Sequence, residues 1–78
     1  MKIALSQREA EVAALVAQGK KDVEISSMLF ISRRRVGEII ASIKQKLNFQ
    51  SRVQIGIWAY KKGLVEFNYD LENVEVFV

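Results

Sequence analysis

The sequence contains no cysteine, no histidine and no proline. Without cysteine, disulfides and thiolate metal sites are excluded, and the redox compartment is left undetermined. Without histidine, the commonest metal ligand and the commonest general base are missing. There is also no glycine-rich loop of the kind that cradles phosphates. We therefore predict a protein that is not an enzyme and has no metal site and no cofactor.

Long apolar runs are also absent. No stretch reaches the roughly 18 residues that a membrane span needs, and no signal peptide is visible, so we expect a cytoplasmic protein without a membrane partner. The 78 residues, of which 50% are hydrophobic and 27% charged, are enough for one small domain with a core.

Acidic residues are scarce in the first four fifths of the chain. Residues 1–63 contain all twelve Lys and Arg but only five acids, a net charge of +7, whereas residues 64–78 carry four acids and a net charge of −4. A basic body attracts phosphate. Many small domains simply carry extra lysines, so charge alone leaves nucleic-acid binding open.

The spacing of apolar and capping residues predicts four helices. Ser6 with Glu9 forms a capping box that starts the first helix, and Gly19 stops it. A short second helix covers about 22–29. After the turn Phe30–Ile31, Ser32 caps a third helix that Asn48 ends, and Ser51 caps a fourth that runs to about Lys62.

The third helix has the clearest periodicity. One apolar stripe is predicted to be buried: Val36, Ile39, Ile40, Ile43 and Leu47. The opposite face carries Arg34, Glu38, Ala41 and Gln45, flanked by Arg35, Gly37 and Ser42. Two helices joined by so short a turn suggest a helix-turn-helix, although any small three-helix bundle can imitate this pattern.

The fourth helix is apolar on two sides. One side holds Val53, Gly56, Ile57 and Tyr60, and roughly the other holds Ile55, Trp58 and Ala59. A helix in so small a domain buries only one face on its own core, so the second face is left for a partner. Because Trp is enriched at interfaces, we predict a dimer contact through Ile55, Trp58, Ala59 and Lys62.

The acidic tail, residues 66–78, changes period. Val65, Phe67, Tyr69 and Leu71 alternate with polar residues, which predicts a short β-like strand or hairpin. The tail is an inert extension, a strand-pairing dimer arm, or a negative segment that competes with DNA for the basic face. The alternation favours the dimer arm.

Particular residues extend the helix-turn-helix interpretation. The runs that carry the resemblance are Leu5–Val12, Gly19, Glu24-Ile25, Leu29–Ser32, Val36, Ile43, Lys46-Leu47, Ser51–Val53 and Gly63–Val65. Over about residues 4–65, without gaps, the chain resembles the LuxR/GerE-type DNA-binding domain. The resemblance implies an all-α, four-helix domain at 1–65 of a cytoplasmic bacterial transcription factor. It also implies a two-fold dimer formed through the fourth helix, with the third helix as the DNA reader.

The third helix departs from the family's usual Ser-x-x-Thr-Val-Lys-x-His run. Arg35 stands at the Thr, Gly37 at the Lys and Ile39 at the His, and Ala41 occupies another frequently basic position. Two long donors are thereby lost from the groove face, and Glu38 adds a negative charge. Three consecutive arginines compensate in part, because bidentate Arg–guanine contacts are the commonest specific ones.

We expect Arg34 to contact bases, on a groove face that also holds Gly37, Glu38 and Ala41. Glu38 has the chemistry to accept from a cytosine amino group. The expected phosphate contacts are Lys20, Lys21, Ser32, Arg33, Arg35 and Lys46.

The leading hypothesis is a homodimeric, sequence-specific regulator that binds double-stranded DNA at an inverted repeat. The alternative is a protein-interaction module that kept the fold, lost base reading, and pairs with a related regulator. RNA polymerase is a further candidate partner.

Overall fold

The computed structural model describes residues 5–65. This part of the chain folds into four α-helices: α1 (Gln7–Ala17), α2 (Asp22–Leu29), α3 (Arg33–Leu47) and α4 (Arg52–Lys61). No strand occurs among these residues, so the predicted all-α class is confirmed. The predicted β-like tail at 66–78 lies outside the described residues.

Local side-chain chemistry sets the helix ends. At α1 the Ser6 hydroxyl accepts from the Glu9 backbone N–H at 3.1 Å, and the Glu9 carboxylate accepts from the Ser6 N–H at 2.8 Å. At α3 the Ser32 hydroxyl accepts from the Arg35 N–H at 3.0 Å. Each bond satisfies a backbone donor that the first helical turn leaves without a partner, which is why the predicted starts are confirmed.

The N-terminus of α4 is capped in a different way from the prediction. Ser51 occupies the N-cap position as expected. The capping acceptor, however, is the Gln54 side-chain oxygen, which accepts from the Ser51 backbone N–H at 3.0 Å. The helix therefore begins at the predicted place through the reciprocal half of a capping box.

The core lies where α1 packs against α3 and α4 and where α3 packs against α2 and α4. Four residues of the predicted α3 stripe are buried in it, and Leu47 packs against its edge. The buried core consists of Val12, Ala13, Leu15, Val16, Ile25, Val36, Ile39, Ile40, Ile43, Ile55 and Ala59. Removing this apolar area from water is the main driving force for a domain of this size.

The face of α4 that packs inward is the opposite of the one predicted. Ile55 and Ala59 are 0% exposed and belong to the monomer's own core, whereas Val53 and Ile57 are 69% and 52% exposed. The prediction that Ile55 and Ala59 form the dimer contact is therefore wrong, because neither side chain has surface left for a partner. Trp58 is half-buried and packs against the core's edge.

A close approach between two helices explains this choice of face. A Cβ atom placed on Gly56 would lie 3.4 Å from the Cα atom of Ala17. The small residues on both helices let α4 lie against the last turn of α1, and Ile55 and Ala59 then enter the core.

Candidate nucleic-acid interface

The connection between α2 and α3 is short and hydrogen-bonded. Phe30 adopts a left-handed conformation with φ of 57°, which ends α2. The Ile31 N–H then donates to the Ser26 carbonyl at 3.2 Å, and the Ser26 hydroxyl donates back to the Ile31 carbonyl at 2.5 Å. These bonds fix the angle between the two helices, as a helix-turn-helix requires.

Arg52 holds the start of α2 from the side of α4. Its guanidinium donates to the Asp22 carboxylate and also, at 2.6 Å, to the Lys20 carbonyl. Because guanidinium has several donors in a fixed plane, one side chain bridges both groups. The start of the first helix of the motif is thus tied to α4.

The outer face of α3 presents the predicted reading residues. Val36, Ile39, Ile40 and Ile43 are buried, and the residues between them are turned to solvent. The exposed positions are Arg33, Arg34, Arg35, Gly37, Glu38 and Ala41. The structure therefore brings all the predicted base-contact positions together on one accessible face of one helix.

Glu38 lies between two of the arginines. Its carboxylate is 3.9 Å from the Arg34 Nε and 3.6 Å from an Arg35 terminal nitrogen. The Arg34 side chain is 90% exposed, and ion pairs this exposed contribute only about 0–1 kcal/mol. Both guanidinium groups are therefore free to leave Glu38 for a stronger anionic partner such as phosphate.

The three arginines occupy the first turn of α3, which contains no acidic residue. The N-terminus of a helix carries a partial positive charge, so each cation there costs roughly 0.3–1 kcal/mol. A sequence selected for stability alone would place Asp or Glu at these positions. The unfavourable placement points to a function that needs concentrated positive charge, and departures of this kind cluster at functional sites.

The remaining predicted phosphate contacts are dispersed and differ in availability. Lys21 immediately precedes α2 and is exposed, and Lys20 is half-buried beside it. Ser32 is exposed, although its hydroxyl already accepts the capping bond from Arg35. Lys46 lies 2.8 Å from the Glu9 carboxylate, so its charge is already paired within the domain.

Glu9 is the centre of a polar cluster that sequence reasoning missed. Besides capping α1, its carboxylate accepts from the Ser42 hydroxyl at 2.6 Å and from the Lys46 ammonium at 2.8 Å. The Lys46 ammonium, then the Ser42 hydroxyl and the Ser6 N–H, lower the pKa of Glu9 to about 2. Ser42 and Lys46 are four residues apart on one face of α3, a signal that needed the position of α1 to interpret.

Two classes of site are not found in residues 5–65. No group of three or more His, Cys, Asp or Glu is placed to hold a metal ion. Among the same residues, no helix is long and apolar enough to cross a membrane.

Residues 3–59 match the family described as bacterial regulatory proteins of the luxR family, also named GerE. The match covers well over half of the chain and includes the whole helix-turn-helix. The chain belongs to the LuxR family. LuxR-type helix-turn-helix domains are DNA-binding and act in transcription regulation, not in enzymatic catalysis, so the predicted fold family and the predicted absence of enzymatic activity are confirmed.

Curated relatives agree with this assignment. The oxygen regulatory protein NreC of Staphylococcus carnosus is 40% identical over 63 residues, which is 81% of this chain. The transcriptional regulatory protein LiaR of Bacillus subtilis is 38% identical over 61 residues, or 78% of this chain. In both cases the match spans only 29% of the relative's length. Membership in the family implies double-stranded DNA as the ligand.

Proposed function

We propose that the chain binds an inverted repeat as a homodimer, with α3 of each copy in a major groove. The observation that carries this proposal is the group of three exposed arginines at the start of α3, in the second helix of a LuxR-type helix-turn-helix. In such motifs the N-terminal residues of the second helix meet the base edges, and the first helix crosses the backbone.

Base reading is assigned to Arg34, with Gly37, Glu38 and Ala41 on the same face. Arg34 is the most exposed member of the Glu38 ion pairs and lies one turn before Glu38. Bidentate contact of Arg with guanine, and acceptance by Glu from cytosine, are the pairings that this chemistry supports. Gly37 and Ala41 contribute closeness of approach and contact with thymine methyl groups rather than hydrogen bonds.

Phosphate contacts are assigned to both sides of the turn. Arg33 and Arg35 flank the reading residue, and Lys20, Lys21 and Ser32 lie at the starts of the two helices. Lys46 joins them only by exchanging Glu9 for a phosphate, which makes it the weakest of the six assignments.

The dimer contact is assigned to the outward side of α4, through Trp58 and Lys62 and with Ile57 in place of the buried Ile55. Half-buried Trp58 and exposed Ile57 supply the aromatic and aliphatic surface typical of interface cores. Trp58 is the single tryptophan of the chain. Its emission maximum in a dilution series should therefore shift as a dimer dissociates, whereas an unchanged spectrum with a change in sedimentation would place the contact elsewhere.

Selection from a randomised duplex pool, followed by anisotropy measurements in a salt series, tests the proposal as a whole. A palindromic consensus is expected, with log K falling by roughly 0.9 for each phosphate neutralised as log salt rises. Binding without a consensus, or a consensus without two-fold symmetry, would contradict a dimeric reader.

A second function is favoured by the composition of the reading face. Gly37 and Ala41 carry no hydrogen-bond donor, and Glu38 lies within ion-pair distance of both Arg34 and Arg35. These features suit a domain that has lost base reading and instead pairs with a related regulator or with RNA polymerase. Gly37→Lys discriminates between the two functions: a gain of specific DNA binding from a weak starting level would support the interaction module.

A further inference from the structure

An apolar groove runs between α1 and α4 on the surface of the domain. It has a volume of about 430 Å³ and is lined by Val16, Ala17, Val53, Gly56, Ile57 and Tyr60. Val53 and Ile57 expose more than half of their surface. Contiguous exposed apolar surface of this kind usually marks a binding site.

The groove lies beside a part of the chain with the matching pattern. Beyond Val65, apolar Phe67, Tyr69 and Leu71 alternate with polar or acidic residues. Such alternation puts the apolar side chains on one side of an extended segment and the acids on the other. A segment of this kind covers an apolar groove with one face and keeps the other in water.

Charge favours the same pairing. Residues 66–78 contain four acids and no Lys or Arg, whereas residues 5–65 contain eleven basic residues against five acids. Arg52 lines the groove directly, and Lys61 and Lys62 are exposed at the end of α4. The attraction between an acidic segment and this basic surface is strengthened because both belong to one chain.

The lengths are also compatible. From Tyr60 to Val53 the groove follows α4 for about 10 Å, at roughly 1.5 Å per residue. An extended segment from Phe67 to Leu71 spans about 13 Å, at roughly 3.3 Å per residue. Gly63, with φ of +73°, turns the chain immediately after α4. The tail therefore begins within a few residues of the groove's nearer end.

We infer that residues 66–78 pack in extended form along the groove of their own chain, antiparallel to α4. Phe67, Tyr69 and Leu71 contact Val53 and Ile57, and the acids lie at the basic rim. This inference goes beyond the proposed DNA binding and does not depend on it. Because Trp58 lies on the other side of Ile57, in a separate depression with Phe49 and Lys61, the tail leaves the Trp58 side open.

Disulfide trapping in the full chain tests the inference, because the natural sequence has no cysteine background. Ile57→Cys is combined, one at a time, with Cys at Phe67, Asn68, Tyr69 or Asp70, and each variant is oxidised at low protein concentration. Cross-linking within one chain is expected to be severalfold faster for Phe67→Cys and Tyr69→Cys than for Asn68→Cys and Asp70→Cys. The matched control places the first cysteine at Met28, an exposed residue of α2.

The outcomes separate the alternatives. Equal rates at odd and even tail positions, or equal rates from Met28→Cys, would overturn the inference. Cross-links that form only between chains would also overturn it and would support the dimer arm. If Ile57→Cys lowers the helical circular dichroism, Val53→Cys replaces it, since Val53 is more exposed. DNA selection with the unmodified chain is a separate readout, so failure of either idea is recognised independently.

Discussion

The Lys46 ammonium lies 2.8 Å from the Glu9 carboxylate and joins the end of α3 to the start of α1. The same carboxylate caps α1 and accepts from the Ser42 hydroxyl, so one buried acid connects elements more than thirty residues apart in sequence. A buried charge is tolerated only where it is fully paired and hydrogen-bonded, and Glu9 meets that condition.

Replacing Glu9 by Gln should lower the free energy of unfolding by about 1–3 kcal/mol, because it leaves Lys46 without its anionic partner and weakens the hydrogen bonds from Ser42 and Ser6. Urea denaturation measures this loss. The matched control is Glu11→Gln, which breaks an exposed ion pair with Arg8 at 3.3 Å and should cost below about 0.5 kcal/mol. Equal losses in the two variants would contradict a special role for Glu9.

Acid should destabilise the domain through the same residue. The pKa of Glu9 is lowered from 4.5 to about 2 in the folded state, so the unfolded chain binds the proton more readily. The stabilisation is complete above about pH 5 and is lost as the pH falls towards 2. Its size is on the order of 2 kcal/mol, less than the full pKa shift implies, because the 43% exposed Lys46 side chain is screened by solvent.

The difference in unfolding free energy between the natural chain and Glu9→Gln, measured from pH 6 to pH 2, isolates this contribution from the other acids. The difference should shrink as the pH falls. A constant difference would show that Glu9 is not protonated in this range.

Arg34→Ala and Arg33→Ala should affect DNA binding in different ways. Loss of a base contact at Arg34 should cost about 1–3 kcal/mol on the selected sequence and relax preference at one base pair. Loss of a phosphate contact at Arg33 should weaken all sequences similarly and reduce the salt slope by about 1. Anisotropy with the selected duplex and with single-base variants measures both. Unchanged affinity and specificity in Arg34→Ala would show that the reading face is assigned wrongly.

The two glycines inside helices should respond differently to alanine. A Cβ atom on Gly37 meets nothing within 4 Å, so Gly37→Ala should stabilise the domain by about 0.5–1 kcal/mol through helix propensity. A Cβ atom on Gly56 would lie 3.4 Å from the Ala17 Cα atom, so Gly56→Ala should gain less. Thermal unfolding compares them. A larger gain at Gly56 would mean that the contact between α1 and α4 is looser than described.

Sequence reasoning located the helices because their determinants are local. Capping at Ser6 and Ser32, the left-handed Asn48 that ends α3, and the α3 stripe all depend on residues within one or two turns. Such signals are present in the chain before any tertiary contact forms. The family resemblance then supplied the arrangement of the helices, which periodicity alone leaves open.

The orientation of α4 was predicted wrongly for a physical reason. The helix is apolar on two sides, and its own sequence contains no information on which side meets the core. The deciding contact is between Gly56 and Ala17, thirty-nine residues apart, and it places Ile55 and Ala59 inside. The bridge from Arg52 to Asp22 was missed for the same reason, since its partners lie thirty residues apart.

On α3, folding and recognition are assigned to different residues of one helix. Val36, Ile39, Ile40 and Ile43 form the core, and none of the residues from Arg33 to Arg35, nor Gly37, Glu38 or Ala41, is buried. Exposed substitutions usually change stability by less than about 0.5 kcal/mol. The outer positions are therefore able to vary over evolution without bringing the domain near its stability threshold. A scaffold of this kind can acquire new target sequences by single substitutions and keep an unchanged interior.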